Sequence, residues 1–134
     1  MVLKKLLNLD ILTKENNDFR KSLYRSENME FVLMSIPVNG KIPLEIHKYE
    51  DQFIRVEQGN ATIIAGENKQ ETKIKADDGI IIPEGVLHEI INTGNNELKL
   101  YIIYSPSEKE ENNQLNLIFI IIILIIIIKY IYSK

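Results

Sequence analysis

Short runs of strand-forming residues, separated by turn residues, fill residues 17–107 and constrain the fold more than any other feature of the chain. The runs are Phe19–Tyr24, Phe31–Val38, Ile42–His47, Gln52–Gln58, Ala61–Ala65, Glu71–Lys75, Gly79–Ile82, His88–Asn92 and Leu98–Tyr104. No long helical periodicity competes with them in this zone. Many short strands at regular spacing predict an all-β barrel or sandwich, and periodicity alone leaves these two open.

The rest of the chain divides around this zone. At 134 residues the chain has the length of one domain. We assign 1–16 to a lead-in that packs on the domain, 17–107 to the domain, 108–116 to a polar linker and 117–134 to an apolar tail. The net charge of -3 and the scattered Lys and Arg residues exclude a basic nucleic-acid-binding surface. With no cysteine, disulfides and thiolate ligands are excluded, and a cytoplasmic location is expected.

Polar residues that should point into the apolar interior mark a candidate site. Glu45 and His47 are one residue apart, so on a strand their side chains share a face. Gln52 shares a face with two aliphatic residues on the next predicted strand and would approach Glu45 and His47 if the two strands pair. His88 begins a later strand with the same pattern. Polar groups in an apolar interior are costly unless each finds a partner, and one bound cation would satisfy all four.

Two imidazoles, a carboxylate and an amide oxygen form a mixed nitrogen and oxygen ligand set. Such a set suits first-row divalent metals such as Mn, Fe, Co, Ni or Zn. Gln52 is a neutral ligand, so binding should be weaker than at a site with three histidines. The alternative, a metal-free pocket lined by the same side chains, stays open. Asn92 is assigned to supporting a turn, and Arg55 lies on the face opposite Gln52.

The same residues resemble the two sequence motifs of the cupin family. The stretch from Gly40 to Gly59, GKIPLEIHKYEDQFIRVEQG, resembles the first motif, and the stretch from Asp78 to Asn92, DGIIIPEGVLHEIIN, resembles the second. The likeness covers roughly residues 10–106 and is typical of small single-domain cupins, including those labelled cupin 2 or mannose-6-phosphate isomerase-like. It implies an RmlC-like jelly-roll β-barrel.

The resemblance also implies a class of function, although three residues of this chain differ from the family motifs. Cupins of this size include metal-dependent dioxygenases, isomerases and lyases that act on small polar metabolites, and many form homodimers. A non-catalytic module that binds a small molecule or a metal is the alternative. Here Glu45 stands where the first motif has its first His, and Gln52 replaces the motif Glu. Asp77 replaces a glycine of the second motif and should adopt a turn conformation that Asp tolerates.

The tail contains twelve consecutive apolar residues, from Leu117 to Ile128. Extended to residue 132, it approaches the length of about 20 residues that spans a bilayer, so a membrane anchor is one interpretation. A segment packed on the domain is another. The third is that the isoleucine-rich composition reflects the coding sequence and no selected structure.

Overall fold

The computed structural model describes residues 5–108 and 111–133, without the side chains of residues 111–116. Two helices flank nine strands. In chain order the elements are α1 (Leu9–Glu15), β1 (Lys21–Arg25), β2 (Glu30–Ile36), β3 (Lys41–Glu45), β4 (Asp51–Gln58), β5 (Asn60–Ala65), β6 (Gln70–Lys75), β7 (Gly79–Ile82), β8 (His88–Asn92), β9 (Leu98–Ser105) and α2 (Glu111–Tyr132). Each predicted strand is present, with ends that differ by at most two residues.

The strands form two antiparallel sheets in the jelly-roll arrangement, which confirms the predicted fold class. The first sheet has the order β1-β2-β9-β4-β7, and the second has the order β3-β8-β5-β6. Within these pairings β3 and β4 belong to different sheets. The condition under which Gln52 was expected to approach Glu45 and His47, pairing of these two strands, is therefore not met, and residues on them meet across the interior.

Side chains alternate between the two faces of each strand, and those that point inward form the core between the sheets. On β2, Val32, Met34 and Ile36 are buried in the interior, and on β9, Leu98, Leu100 and Ile102 are buried beside them. The side chains of Ile42, Ala61, Ile63, Ile74 and Ile90 complete this cluster from the second sheet. Burying these aliphatic groups is the main stabilising contribution to such a fold. Because every second side chain of a strand faces inward, the same alternation determines which polar residues point into the interior.

Helix α1, within the predicted lead-in, covers the outer face of the first sheet. The side chain of Asn8 caps the helix by accepting a hydrogen bond from the backbone N–H of Ile11 at 3.3 Å. Leu9 and Leu12 then pack against a buried cluster of Phe31, Leu33 and Tyr101.

Helix α2 contains the isoleucine-rich run, and its described side chains are exposed. Among residues 5–108 and 111–133, no helix combines the length and the apolar content that a membrane span requires. Residues 109–110 of the predicted linker and residues 1–4 of the lead-in lie outside the described residues.

Asp77 adopts the left-handed conformation expected from the sequence, with φ of 75°. Its carboxylate is 3.2 Å from a guanidinium nitrogen of Arg55, but the side chain is 85% exposed, so this ion pair contributes little. A β-branched residue carries a second heavy atom on Cβ, which crowds the backbone in this conformation. We expect Asp77→Val to lower the free energy of unfolding by about 1–2 kcal/mol and Asp77→Gly to leave it unchanged or higher, measured by urea denaturation. Equal stability of the two variants would contradict this.

Candidate metal site

The site lies at one end of the interior, where a polar row of each sheet faces the other. Across the first sheet, Glu30, Tyr104 and Gln52 are neighbours in register. Across the second sheet, Glu45 is the register partner of His88. All but Glu45 are buried. The strand pairing therefore brings these side chains to one end of the core.

Glu45, His47 and His88 converge at this end. The Oε1 atom of Glu45 lies 3.1 Å from Nε2 of His47 and 3.3 Å from Nε2 of His88. One ligand atom from each of the three residues lies within 4.8 Å of the others. His47 and His88 are 7% and 0% exposed. Three potential ligand atoms thus surround a point where a single cation fits.

The backbone sets which nitrogen of His88 faces the site. Nδ1 lies 2.9 Å from the carbonyl oxygen of Val86. A carbonyl only accepts, so Nδ1 carries the proton and donates it. In the neutral imidazole Nε2 is then unprotonated, and it faces the amide of Gln52 and the carboxylate of Glu45. A metal-bound histidine shows this same arrangement, in which the second nitrogen donates to a carbonyl or carboxylate.

Gln52 lies beside His88. Its Nε2 atom is 3.3 Å from Nε2 of His88, and its Oε1 atom is buried without a hydrogen-bond partner among the described residues. Rotation of the amide by 180° would bring the oxygen next to His88. The structure therefore brings all four predicted ligand residues together, and it does so across the two sheets and not by pairing of β3 with β4.

His47 is fixed from two sides. It lies two residues beyond the end of β3, and its carbonyl accepts a hydrogen bond of 2.7 Å from the backbone N–H of Gly85. On the ring, Nδ1 is 3.9 Å from a carboxylate oxygen of Glu50 and 3.7 Å from one of Glu108. These negative charges favour a proton on Nδ1, which leaves Nε2 facing the site.

Charge interactions outweigh burial in setting the pKa values of Glu45 and His47. Burial would raise the pKa of Glu45, but the close ring nitrogens of His47 and His88 and their charges lower it to about 2. Burial would lower the pKa of His47, but the adjacent carboxylate of Glu45, with the charges of Glu108 and Glu50, raises it. Glu45 is therefore ionised at neutral pH, and His47 holds its proton more tightly than an isolated histidine.

The sequence analysis missed two inward-facing polar residues. Glu30 is 2% exposed and Tyr104 is 3% exposed. The ring of Tyr104 lies 5.2 Å from that of His47 between centroids. Burial, with the charges of Glu45 and Glu108, raises the pKa of Tyr104 well above its usual range. Each residue has the same parity as the buried aliphatic residues of its strand, and this signal could have identified both.

The two residues that the sequence analysis set apart from the ligands do lie apart from them. The amide of Asn92 donates to the carbonyls of Ile36, at 3.0 Å, and Asn96, at 2.9 Å, so it ties the turn after β8 to the end of β2. Arg55 contacts Asp77 on the outer face of the first sheet. Neither side chain reaches the site.

A comparison with protein families matches residues 32–104 to a family described as a cupin domain. Two curated relatives are similar in sequence. YrkC of Bacillus subtilis (strain 168) is 40% identical over 105 residues, which are 75% of this chain and 56% of the relative. L612 of Acanthamoeba polyphaga mimivirus is 42% identical over 99 residues, which are 72% of this chain and 61% of the relative. The chain thus spans little more than half the length of these relatives.

Solved structures share the fold. BH2720 from Bacillus halodurans superposes with a TM-score of 0.76 at 38% identity, covering 78% of this chain and 83% of that one. The cupin domain of Cnp3 from Schizosaccharomyces pombe has a TM-score of 0.61 at 20% identity, covering 72% and 69% of the two chains. At that identity the second likeness shows the fold alone.

Proposed function

This chain belongs to the cupin domain family, and we propose that it binds one divalent first-row metal ion and acts on a small polar metabolite. The ligands are the four residues predicted from the sequence, Glu45, His47, Gln52 and His88. Neither curated relative's name states an activity, so the proposal rests on the chemistry of the site.

One observation supports metal binding above the others. Nε2 of His47 and Oε1 of Gln52 are buried polar atoms without a hydrogen-bond partner among the described residues. The contact of 3.1 Å between His47 and Glu45 lacks the geometry of a hydrogen bond, although the atoms are close. Leaving such atoms unpaired costs about 1–3 kcal/mol each. A cation held by these residues would satisfy Nε2 of His47 and, with the amide of Gln52 rotated, Oε1 of Gln52.

The protein's own groups have separable roles in this proposal. A bound divalent metal supplies Lewis-acid polarisation of a substrate oxygen. Glu45 stays ionised and, at 31% exposure, is the ligand nearest solvent. His88 and Gln52, both buried, hold their positions through β8 and β4. Tyr104 keeps its proton at neutral pH, and its ring packs against that of His47. Open metal positions, which catalysis needs, follow if the metal takes more than four ligands.

A non-catalytic binding module is the second candidate function. The neutral ligand Gln52 favours it, because a weaker ligand makes retention of the metal between turnovers less secure. Turnover separates the two candidates. We would load the chain with Mn, Fe, Co, Ni or Zn and incubate each loaded protein with a panel of small polar metabolites. Both the consumption of the metabolite and the heat of binding would be followed. Consumption that scales with enzyme and metal supports the enzyme, whereas binding without consumption across the panel favours the module.

Metal binding should weaken as the pH falls. The metal takes the unprotonated form of His47, and the raised pKa of that residue makes protons stronger competitors. Glu45, with a pKa of about 2, stays ionised between pH 6 and 8 and adds no change. Protonated His47 stabilises the metal-free fold below the unfolded pKa, and this contribution is lost as pH rises through the folded pKa. Both effects make metal-induced stabilisation grow with pH.

We therefore expect the rise in melting temperature on adding Zn²⁺ to be larger at pH 8 than at pH 6. Metal affinity should fall by about tenfold per pH unit below the pKa of His47, for one displaced proton. Thermal denaturation with and without metal across this range measures both quantities. A rise that is equal at the two pH values, or larger at pH 6, would contradict the role of His47.

The expected partners follow from the same site. We propose a small-molecule ligand as the partner of the pocket and a homodimer as the assembly, the latter implied by family resemblance. Sedimentation of the full chain at micromolar concentration tests the dimer, and a monomer under those conditions would contradict it.

A further inference from the structure

We propose that Arg20 holds a carboxylate group of the small-molecule ligand, in the position that the side chain of Glu108 takes in this structure, and that Arg25 adds positive charge beside it. This inference rests on the proposed function, because it names the class of ligand for the same site. Glu108 is central to it. One oxygen of its carboxylate lies 3.1 Å from Nη2 of Arg20, and the other lies 3.7 Å from Nδ1 of His47. A carboxylate therefore already lies between an arginine and a candidate metal ligand.

The two arginines are held in place by a buried acid. The carboxylate of Glu30 lies 3.3 Å from Nη2 of Arg20 and 3.3 Å from Nη1 of Arg25, and it accepts a hydrogen bond of 3.0 Å from Ser22. Glu30 is 2% exposed, whereas Arg20 and Arg25 are 40% and 41% exposed. Guanidinium groups have five N–H donors each, so donors remain for a ligand at the solvent side. Such fixed arginines suit carboxylate binding.

Glu108 is the member of this cluster that can be replaced. Its side chain is 37% exposed and its residue lies three positions beyond the end of β9, so little else fixes it. Arg25 also donates to its backbone carbonyl, but that bond does not involve the carboxylate. An ion pair this exposed contributes little free energy. A ligand carboxylate can therefore displace the Glu108 side chain at low cost.

The charge balance selects an anion. When Glu108 moves away, the described charged groups at this end are Arg20, Arg25, a divalent cation in the proposed site, and the three acids Glu30, Glu45 and Glu50. Two arginines and a doubly charged ion outweigh three carboxylates. A ligand with one carboxylate on the arginines and a further oxygen toward the metal fits this arrangement, which places the ligand among small carboxylic acids.

Calorimetric titration of the metal-loaded full chain with malonate and with its neutral diamide, malonamide, tests the inference. We expect malonate to bind more tightly than malonamide. Arg20→Gln should weaken malonate binding by about tenfold or more, because one charge-assisted contact is lost. Glu108→Gln should strengthen malonate binding, because the internal competitor loses its charge. A gain of affinity cannot arise from misfolding. Arg55→Gln removes a matched, ion-paired arginine on the outer face and should change nothing.

Several outcomes would overturn the inference. It fails if Arg20→Gln leaves malonate affinity unchanged, if Glu108→Gln lowers malonate affinity, or if no variant binds malonate. If the parent takes up no metal, the proposed function fails. Three carboxylates then outweigh the two arginines, so malonate should bind the metal-free chain more weakly, and the dependence of that binding on Arg20 decides the inference alone. Malonate binding that depends on Arg20 supports it there, and binding that does not depend on Arg20 overturns it.

Discussion

His88→Leu should lower the affinity of the chain for divalent metal by about a hundredfold or more, since loss of residues that merely support a ligand already costs 10–100-fold. His88 is fully buried, and its Nε2 atom points at the shared position between Glu45 and Gln52. Leucine fills a similar volume with no polar atom, so it removes the ligand without opening a large cavity. Competition with a chromogenic chelator measures the change in affinity.

The matched control for this variant is the next residue along β8. Glu89 has its side chain on the other face of the strand, where it pairs with Lys41 at 3.3 Å. Glu89→Gln should therefore bind metal as the parent does. Retained affinity in His88→Leu, or an equal loss in both variants, would show that His88 is not a ligand.

Gln52→Glu should have the opposite effect, raising metal affinity by about tenfold, because an anionic carboxylate replaces a neutral amide. The same change should lower the stability of the metal-free chain by about 2 kcal/mol, because it buries a second carboxylate close to Glu45. Gln52 is 1% exposed, so solvent offers the new charge little relief. Thermal unfolding with and without Zn²⁺ should show a lower metal-free melting temperature and a larger rise on metal addition.

Gln58, at the other end of β4, provides the comparison. Its amide donates to the carbonyl of Glu97 at 3.1 Å, and it lies far along the strand from the site. Gln58→Glu should leave metal affinity at the parental value. If Gln52→Glu binds metal no better than Gln58→Glu, the side chain at position 52 does not contact the metal.

The strands and the two-residue alternation of the fold could be predicted from the sequence, because local periodicity records which side chains face the core. The pairing of strands could not. Nothing in the pattern near Glu45 and Gln52 indicates that β3 joins β8 while β4 joins β9 and β7. Pairing over long sequence separations depends on the packing of the whole sheet. The motif resemblance supplied the topology that periodicity left open.

The four candidate ligands were predictable because polar residues on otherwise apolar strand faces are costly and stand out. The groups around them were not identified in the same way. Glu30 is the first residue of its strand, where a polar residue is ordinary and gives no sign of burial. Its ion pairs with Arg20 and Arg25 form only when β1 folds against β2. Glu108 is 61 residues from His47 in sequence and meets it only through the tertiary fold.

Elemental analysis of the purified full chain beside a His47→Ala variant decides whether these four residues bind a metal. We expect close to one equivalent of a first-row divalent metal per chain in the parent and little in the variant, with both proteins showing the β-sheet circular dichroism of a folded jelly roll. No bound metal in the parent, even after incubation with Mn, Fe, Co, Ni and Zn salts at pH 8, would contradict this expectation. Glu45, His47, Gln52 and His88 would then line a metal-free pocket.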